Sequence, residues 1–86
     1  MNSEQELYLV AGRIKRDAEI RGIDLSDPAH AFTVWADFPG WDRMAYSGSY
    51  TSHNEAAALA TEHASPQKGN LYIAMGPLSN FAVYQV

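Results

Sequence analysis

Three histidines, His30, His53 and His63, are the side chains of this chain suited to proton transfer or metal binding near neutral pH. His53 and His63 stand ten residues apart on one predicted helix, which is not a one-face spacing for a two-histidine site. Neither His-x-His nor His-x-x-x-His occurs. His53 therefore reads as a residue at a helix start, and His63 as a cation placed favourably at the same helix's C-terminal end. His30, just before a strand, has no local partner. The chain contains no cysteine, which excludes a disulfide framework, a thiolate zinc site and a thiol nucleophile. Nucleophilic catalysis by serine needs a base and an oxyanion donor, and no Gly-x-Ser-x-Gly elbow is present. Ser47-Gly48-Ser49 reads as a bend in a strand. No glycine-rich phosphate loop occurs. Asp37 and Asp42 flank a turn, where two aspartates act as turn formers. No catalytic residue, no metal site and no cofactor is expected.

What remains is a binding loop. Phe38-Pro39-Gly40-Trp41-Asp42 places an indole at a Pro-Gly reversal, close in sequence to Trp35. Tryptophan is enriched at binding hot spots, and neighbouring acids add electrostatic complementarity. Two placements of Trp41 stay open at this level: exposed at the tip, or folded back over the sheet edge as a lid. The candidate partner-binding residues are Trp41, Asp42, Asp37, Trp35, Asp24 and Asp27. Tyr8, Tyr72 and Tyr84 read as the rim of the core.

These residues need a scaffold, and 86 residues allow one domain, 1–86. The composition, 47% apolar and 19% charged, is that of a globular chain. No apolar run reaches the roughly 20 residues of a membrane helix, and residues 1–6 do not look like a signal peptide. With no cysteine, a cytoplasmic location is the expectation. The net charge of −4 is unevenly spread. In residues 1–21 four acids balance four bases, so the whole acidic excess lies in residues 22–86. Such a surface repels phosphate backbones and suits a protein partner with a basic surface.

Ser3-Glu4-Gln5-Glu6 is a capping box, followed by Leu7, Val10, Ala11, Ile14 and Ala18 at helical spacing. Arg13 with Asp17, Lys15 with Glu19, and Asp17 with Arg21 are i,i+4 pairs on a solvent face. Gly22 ends this helix, placed at about residues 4–21. Residues 31–50 alternate apolar and polar on either side of the Pro-Gly turn, which is a β-hairpin. Ser52-His53-Asn54-Glu55 caps a second helix of small alanines, ending near Ala64 because Pro66 cannot continue it. Gln67-Lys68-Gly69-Asn70 is a turn. Residues 71–75 and 81–86 are two more strands. The expected fold is α+β, in the order α-ββ-α-ββ: a four-stranded antiparallel sheet with two helices on one face, the other face carrying Trp35 and Tyr46 partly open to solvent.

In its size, acidity and lack of catalytic motifs the chain resembles the small phage-encoded anti-CRISPR-type inhibitors. That resemblance implies a non-enzymatic, stoichiometric binder that presents acids to a basic nucleic-acid-binding groove on its partner. It carries no residue roles with it. The runner-up reading is a small nucleic-acid-binding domain. The element order is loosely similar to a double-stranded RNA-binding domain, but the second helix starts Thr51-Ser52-His53-Asn54-Glu55, without lysine. Direct nucleic-acid contact is therefore not expected. A third reading is an assembly subunit that uses exposed sheet edges.

Overall fold

The computed structural model describes residues 3–64 and 69–86. Pro66, expected to stop the second helix, the expected turn residues Gln67 and Lys68, and the side chain of His63 lie outside the described residues. Helix α1 spans Ser3–Arg21 and α2 spans His53–Ala64; strands β1 (Phe32–Asp37), β2 (Ala45–Tyr50), β3 (Asn70–Met75) and β4 (Ala82–Gln85) complete the α-ββ-α-ββ order. The strands form one antiparallel sheet in the order β2-β1-β3-β4, so the two hairpins join through β1 and β3.

Local chemistry fixes the ends of these elements. After α1, the N–H of Gly22 donates to Glu19 O (3.1 Å) and that of Ile23 to Ala18 O (2.8 Å), which is the Schellman pattern. At α2 the Glu55 N–H donates to Ser52 Oγ (3.3 Å), the forward half of a capping box. Ala56 and Ala60, one turn apart, let α2 lie close on the sheet.

The helices do not share a face. Val10, Ile14 and Ala18 of α1 pack with Trp35, Tyr72 and Ala74. Ala56 and Ala60 of α2 pack with Val34 and Ile73. Because neighbouring strand residues point to opposite faces, Val34 and Trp35 belong to different sides of the sheet. The arrangement is therefore three-layered, with one helix on each side. The expectation of both helices on one face fails because the two inner strands are buried on both faces: Thr33 to Ala36 of β1 and Leu71 to Ala74 of β3 are all buried. Trp35, expected on an open face, is fully buried under α1, with its Nε1–H donating to Thr33 Oγ1 at 2.7 Å.

Candidate functional site

The connection between β1 and β2 begins with a tight turn. Trp41 N–H donates to Phe38 O (3.1 Å), with Pro39 and Gly40 in the central positions and Gly40 at φ +83°. Proline at the second position and a positive-φ glycine at the third are the demands of a type II turn. The reversal brings Phe38 and Trp41 together, ring centroids 5.0 Å apart and tilted by 50°. Phe38 is half-buried while Trp41 is 59% exposed. The indole thus rests one flank on a partly anchored ring and presents the rest to solvent; the lid placement is not the one adopted.

Both ends of this loop are tied to α1. At its start, Arg13 Nη1 lies 3.0 Å from Asp37 Oδ2. At its end, Asp17 Oδ2 accepts from the Met44 N–H (2.7 Å), and Arg21 Nη2 donates to Met44 O (3.2 Å). One backbone residue is held through its donor and its acceptor by two side chains one turn apart. The i,i+4 pairs expected of Asp17 with Arg13 and Arg21 therefore do not form: Asp17 is 1% exposed, next to Ile14 and Ala18 on the sheet-facing side. Its Oδ1 accepts no hydrogen bond, and Arg16 Nε stands 3.7 Å away. A buried carboxylate is costly unless hydrogen-bonded, and the Met44 amide meets that requirement at Oδ2 alone.

Of the six residues expected to meet a partner, two stand exposed together on the anchored loop: Trp41 and Asp42. Asp37 lies at its base, with its charge met by Arg13. Trp35 is not a contact residue, because the core encloses it completely. Asp24 and Asp27 are exposed but sit at the other end of the sheet. Ser26 Oγ, between them, accepts from Leu78 N–H in the β3–β4 connection, and Ala31 O accepts from Gly76 N–H. Phe32 pairs with Met75 there, whereas Asp37 pairs with Asn70 at the loop end. The four aspartates thus form no single cluster. Asp24 and Asp27 instead stabilise their own turns, accepting from Ser26 N–H and Ala29 N–H at 2.9 Å each.

Two polar constellations arise from residues far apart in sequence. His30 Nδ1 is 2.5 Å from Ser49 Oγ, which is also hydrogen-bonded to the Tyr46 hydroxyl. A bulge makes this possible. Val34 pairs with Gly48 and Trp35 with Tyr46, which leaves Ser47 unpaired and turns Tyr46 and Ser49 to the same face. Gly48 sits at φ +144°, and a Cβ there would meet the Tyr50 hydroxyl at 2.6 Å. With both neighbours bonded to Ser49 Oγ, this trio fastens the short 3-10 turn Pro28–His30 to β2. On the other face His53 Nε2 is hydrogen-bonded to Tyr84, and Phe32 meets the His53 ring edge-on at 5.9 Å. His53 thus links the start of α2 to β4. Burial pushes the Tyr84 phenol above its ordinary range. Burial, then the nearby Asp37 carboxylate, pushes Tyr72 up as well, against the opposing effect of a hydrogen bond with Asn70.

The basic residues of α1 do not make one stripe. Arg13 is paired with Asp37, Arg21 reaches Met44, and Lys15 Nζ lies over the Phe81 ring, 5.3 Å from its centroid. Tyr8 departs from its expected place at the core rim and is 81% exposed on α1, beside exposed Leu9. Among the described residues no group of three or more histidines and carboxylates converges as a metal site, and no helix is long and apolar enough to cross a membrane.

Fold and site together define a class: an α+β domain with a four-stranded antiparallel sheet, whose most exposed large aromatic outside α1 stands on a loop clamped at both ends. No family model, no curated protein and no solved structure matches the chain.

Proposed function

We propose that this chain is a non-enzymatic protein-binding module, an inhibitor or adaptor, that inserts Trp41 into a partner with a basic surface. The observation that carries the reading is the exposed indole on a loop fixed by Arg13, Asp17 and Arg21. Rigid presentation of an aromatic anchor lowers the ordering cost of binding. Truncation of such an anchor at a hot spot costs about 2 kcal/mol or more. Asp42, exposed beside it, faces a basic group and speeds encounter. The most specific form of this reading is the one implied by the resemblance to anti-CRISPR-type inhibitors: occlusion of a basic nucleic-acid-binding groove, in the cytoplasm. The acidic excess of the chain supports it, while the separation of Asp24 and Asp27 from the loop narrows the acidic contact to Asp42 and its surroundings. Engagement of Arg13, Lys15 and Arg21 in internal contacts speaks against direct phosphate binding.

The test is paired affinity capture from the native host, with wild type and Trp41→Ala as baits and mass spectrometry as the readout. A protein enriched by wild type and lost with Trp41→Ala is the expected result. Equal capture by both baits removes the loop from the interface.

A further inference from the structure

Away from the Trp41 loop, beside the C-terminal half of α1, two apolar depressions adjoin. One, of about 360 Å³, is walled by Ile23 and Leu78, the other, of about 250 Å³, by Pro28 and Pro77, and buried Leu25 lines both. Leu78 stands 46% exposed at the rim. The surface is preformed, because the connections that build it are tied together. Ser26 Oγ accepts from Leu78 N–H (3.1 Å), Ala31 O accepts from Gly76 N–H (3.0 Å), and a Cβ at Gly76 would collide with Leu25 O. Its charge is one-sided. Glu19 and Asp24 line the larger depression and Asp27 the smaller. All three are exposed, and none forms an ion pair among the described residues. Asp24 and Asp27 each use Oδ1 in a turn, which leaves Oδ2 open. The one base on the lining, Lys15, holds its Nζ over the Phe81 ring. Three acids against one base leave the lining with a formal charge of −2.

We infer that this surface docks an extended segment of a partner protein in which large apolar side chains are flanked by Arg or Lys. Alternate residues of an extended chain project to one side, so two apolar side chains fill the two depressions while the cations between and beside them meet Glu19, Asp24 and Asp27. Charge selects this occupant. A second copy of the chain brings a further −4, and a phosphate backbone is repelled in the same way. A neutral apolar segment would draw the three carboxylates out of water without pairing them, which costs free energy. The contact uses neither Trp41 nor Asp42. It gives Asp24 and Asp27, which the sheet separates from the loop, a docking role of their own.

The test uses the full chain, isotope-labelled, and the probe peptide acetyl-Arg-Leu-Arg-Leu-Arg-amide, with amide chemical shifts as the readout. Saturable shifts at Ile23, Leu25, Gly76 and Leu78 are expected, with a Kd of about 1 mM or tighter, while Trp41 and Asp42 stay unmoved. Leu78→Ala removes a partly covered side chain and should weaken binding about five-fold. Glu19→Gln, Asp24→Asn and Asp27→Asn together should weaken it about ten-fold; the asparagines keep the Oδ1 acceptors of both turns, so the fold stands. Should Leu78→Ala misfold, the neutralised variant decides alone. Trp41→Ala should bind the probe as wild type does, which separates this surface from the proposed partner loop. No saturation by about 5 mM, or shifts centred on Trp41, overturns the inference. Equal affinity for acetyl-Glu-Leu-Glu-Leu-Glu-amide shows that charge selects nothing, and equal affinity for acetyl-Arg-Ser-Arg-Ser-Arg-amide shows that the depressions are not filled; either result overturns it too.

Discussion

Truncating Trp41 should leave the fold standing. In Trp41→Ala the losses are the covered minor part of an indole that is 59% exposed and its tilted contact with Phe38. Exposed substitutions stay within about 0.5 kcal/mol, and an aromatic pair adds about 0.5–1.5 kcal/mol. A total near 1 kcal/mol lowers Tm by about 4–8 °C in a domain of this size. The clamp is untouched, because Met44 is held through its backbone by Asp17 and Arg21. Trp35 is the internal comparison: it is fully buried, with its Nε1–H bonded to Thr33. Truncating a buried tryptophan costs about 3–5 kcal/mol, and Trp35→Ala should lose about 12 °C or more or fail to fold cooperatively. The assay is thermal unfolding by far-ultraviolet circular dichroism of wild type and both variants. If Trp41→Ala falls as far as Trp35→Ala, the indole is a core residue and the reasoning about the loop is refuted.

Other expectations follow from the same contacts. Asp17→Ala leaves the buried Met44 N–H without its acceptor and should cost about 1.5–3 kcal/mol, as for hydrogen bonds to charged groups; chemical denaturation measures it, and wild-type stability in this variant would contradict the clamp. The Tyr72 phenol is raised by burial and by Asp37, so the folded state keeps its proton where the unfolded chain has lost it. Its contribution is complete below the unfolded-state pKa of about 10 and is lost as pH rises through the higher folded value. Unfolding free energy should therefore fall above pH 10, less steeply in Tyr72→Phe, and equal slopes in the two proteins would contradict the assignment. If Asp42 assists docking, association with the captured partner should slow as salt rises, since exposed charges are screened over about 8 Å at physiological ionic strength; a salt-independent on-rate points to a wholly apolar contact.

The elements were largely legible because their signals are local. Ser52, Gly22 and the Pro39-Gly40 reversal each mark a boundary that the structure keeps. What escaped was long-range. Period-two alternation in residues 31–38 puts Trp35 on the open face, whereas the apolar run Val34-Trp35-Ala36 is matched by Leu71 to Met75. Such runs mark strands covered on both sides, and they imply one helix per face. Arg13 and Arg21, one turn away on either side, make Asp17 read as a solvent-face residue. Its actual partner, the Met44 amide, is 27 residues away and becomes reachable only once the hairpin is docked. The His30–Ser49 contact depends on the bulge at Ser47; the sequence marks a bend at Ser47-Gly48-Ser49 but not the partner that the bend brings to Ser49. For the candidate site, Trp41 and Asp42 could be named from turn chemistry alone. Asp24 and Asp27 could not be separated from them without the sheet register.

The central claim is that Trp41 anchors a protein partner. Titration calorimetry of the partner captured by wild type, against wild type and Trp41→Ala, tests it most directly. A hot-spot indole predicts a loss of about thirty-fold or more in affinity, the equivalent of about 2 kcal/mol, with Tm lowered by no more than about 8 °C. Affinities equal within about two-fold would contradict it.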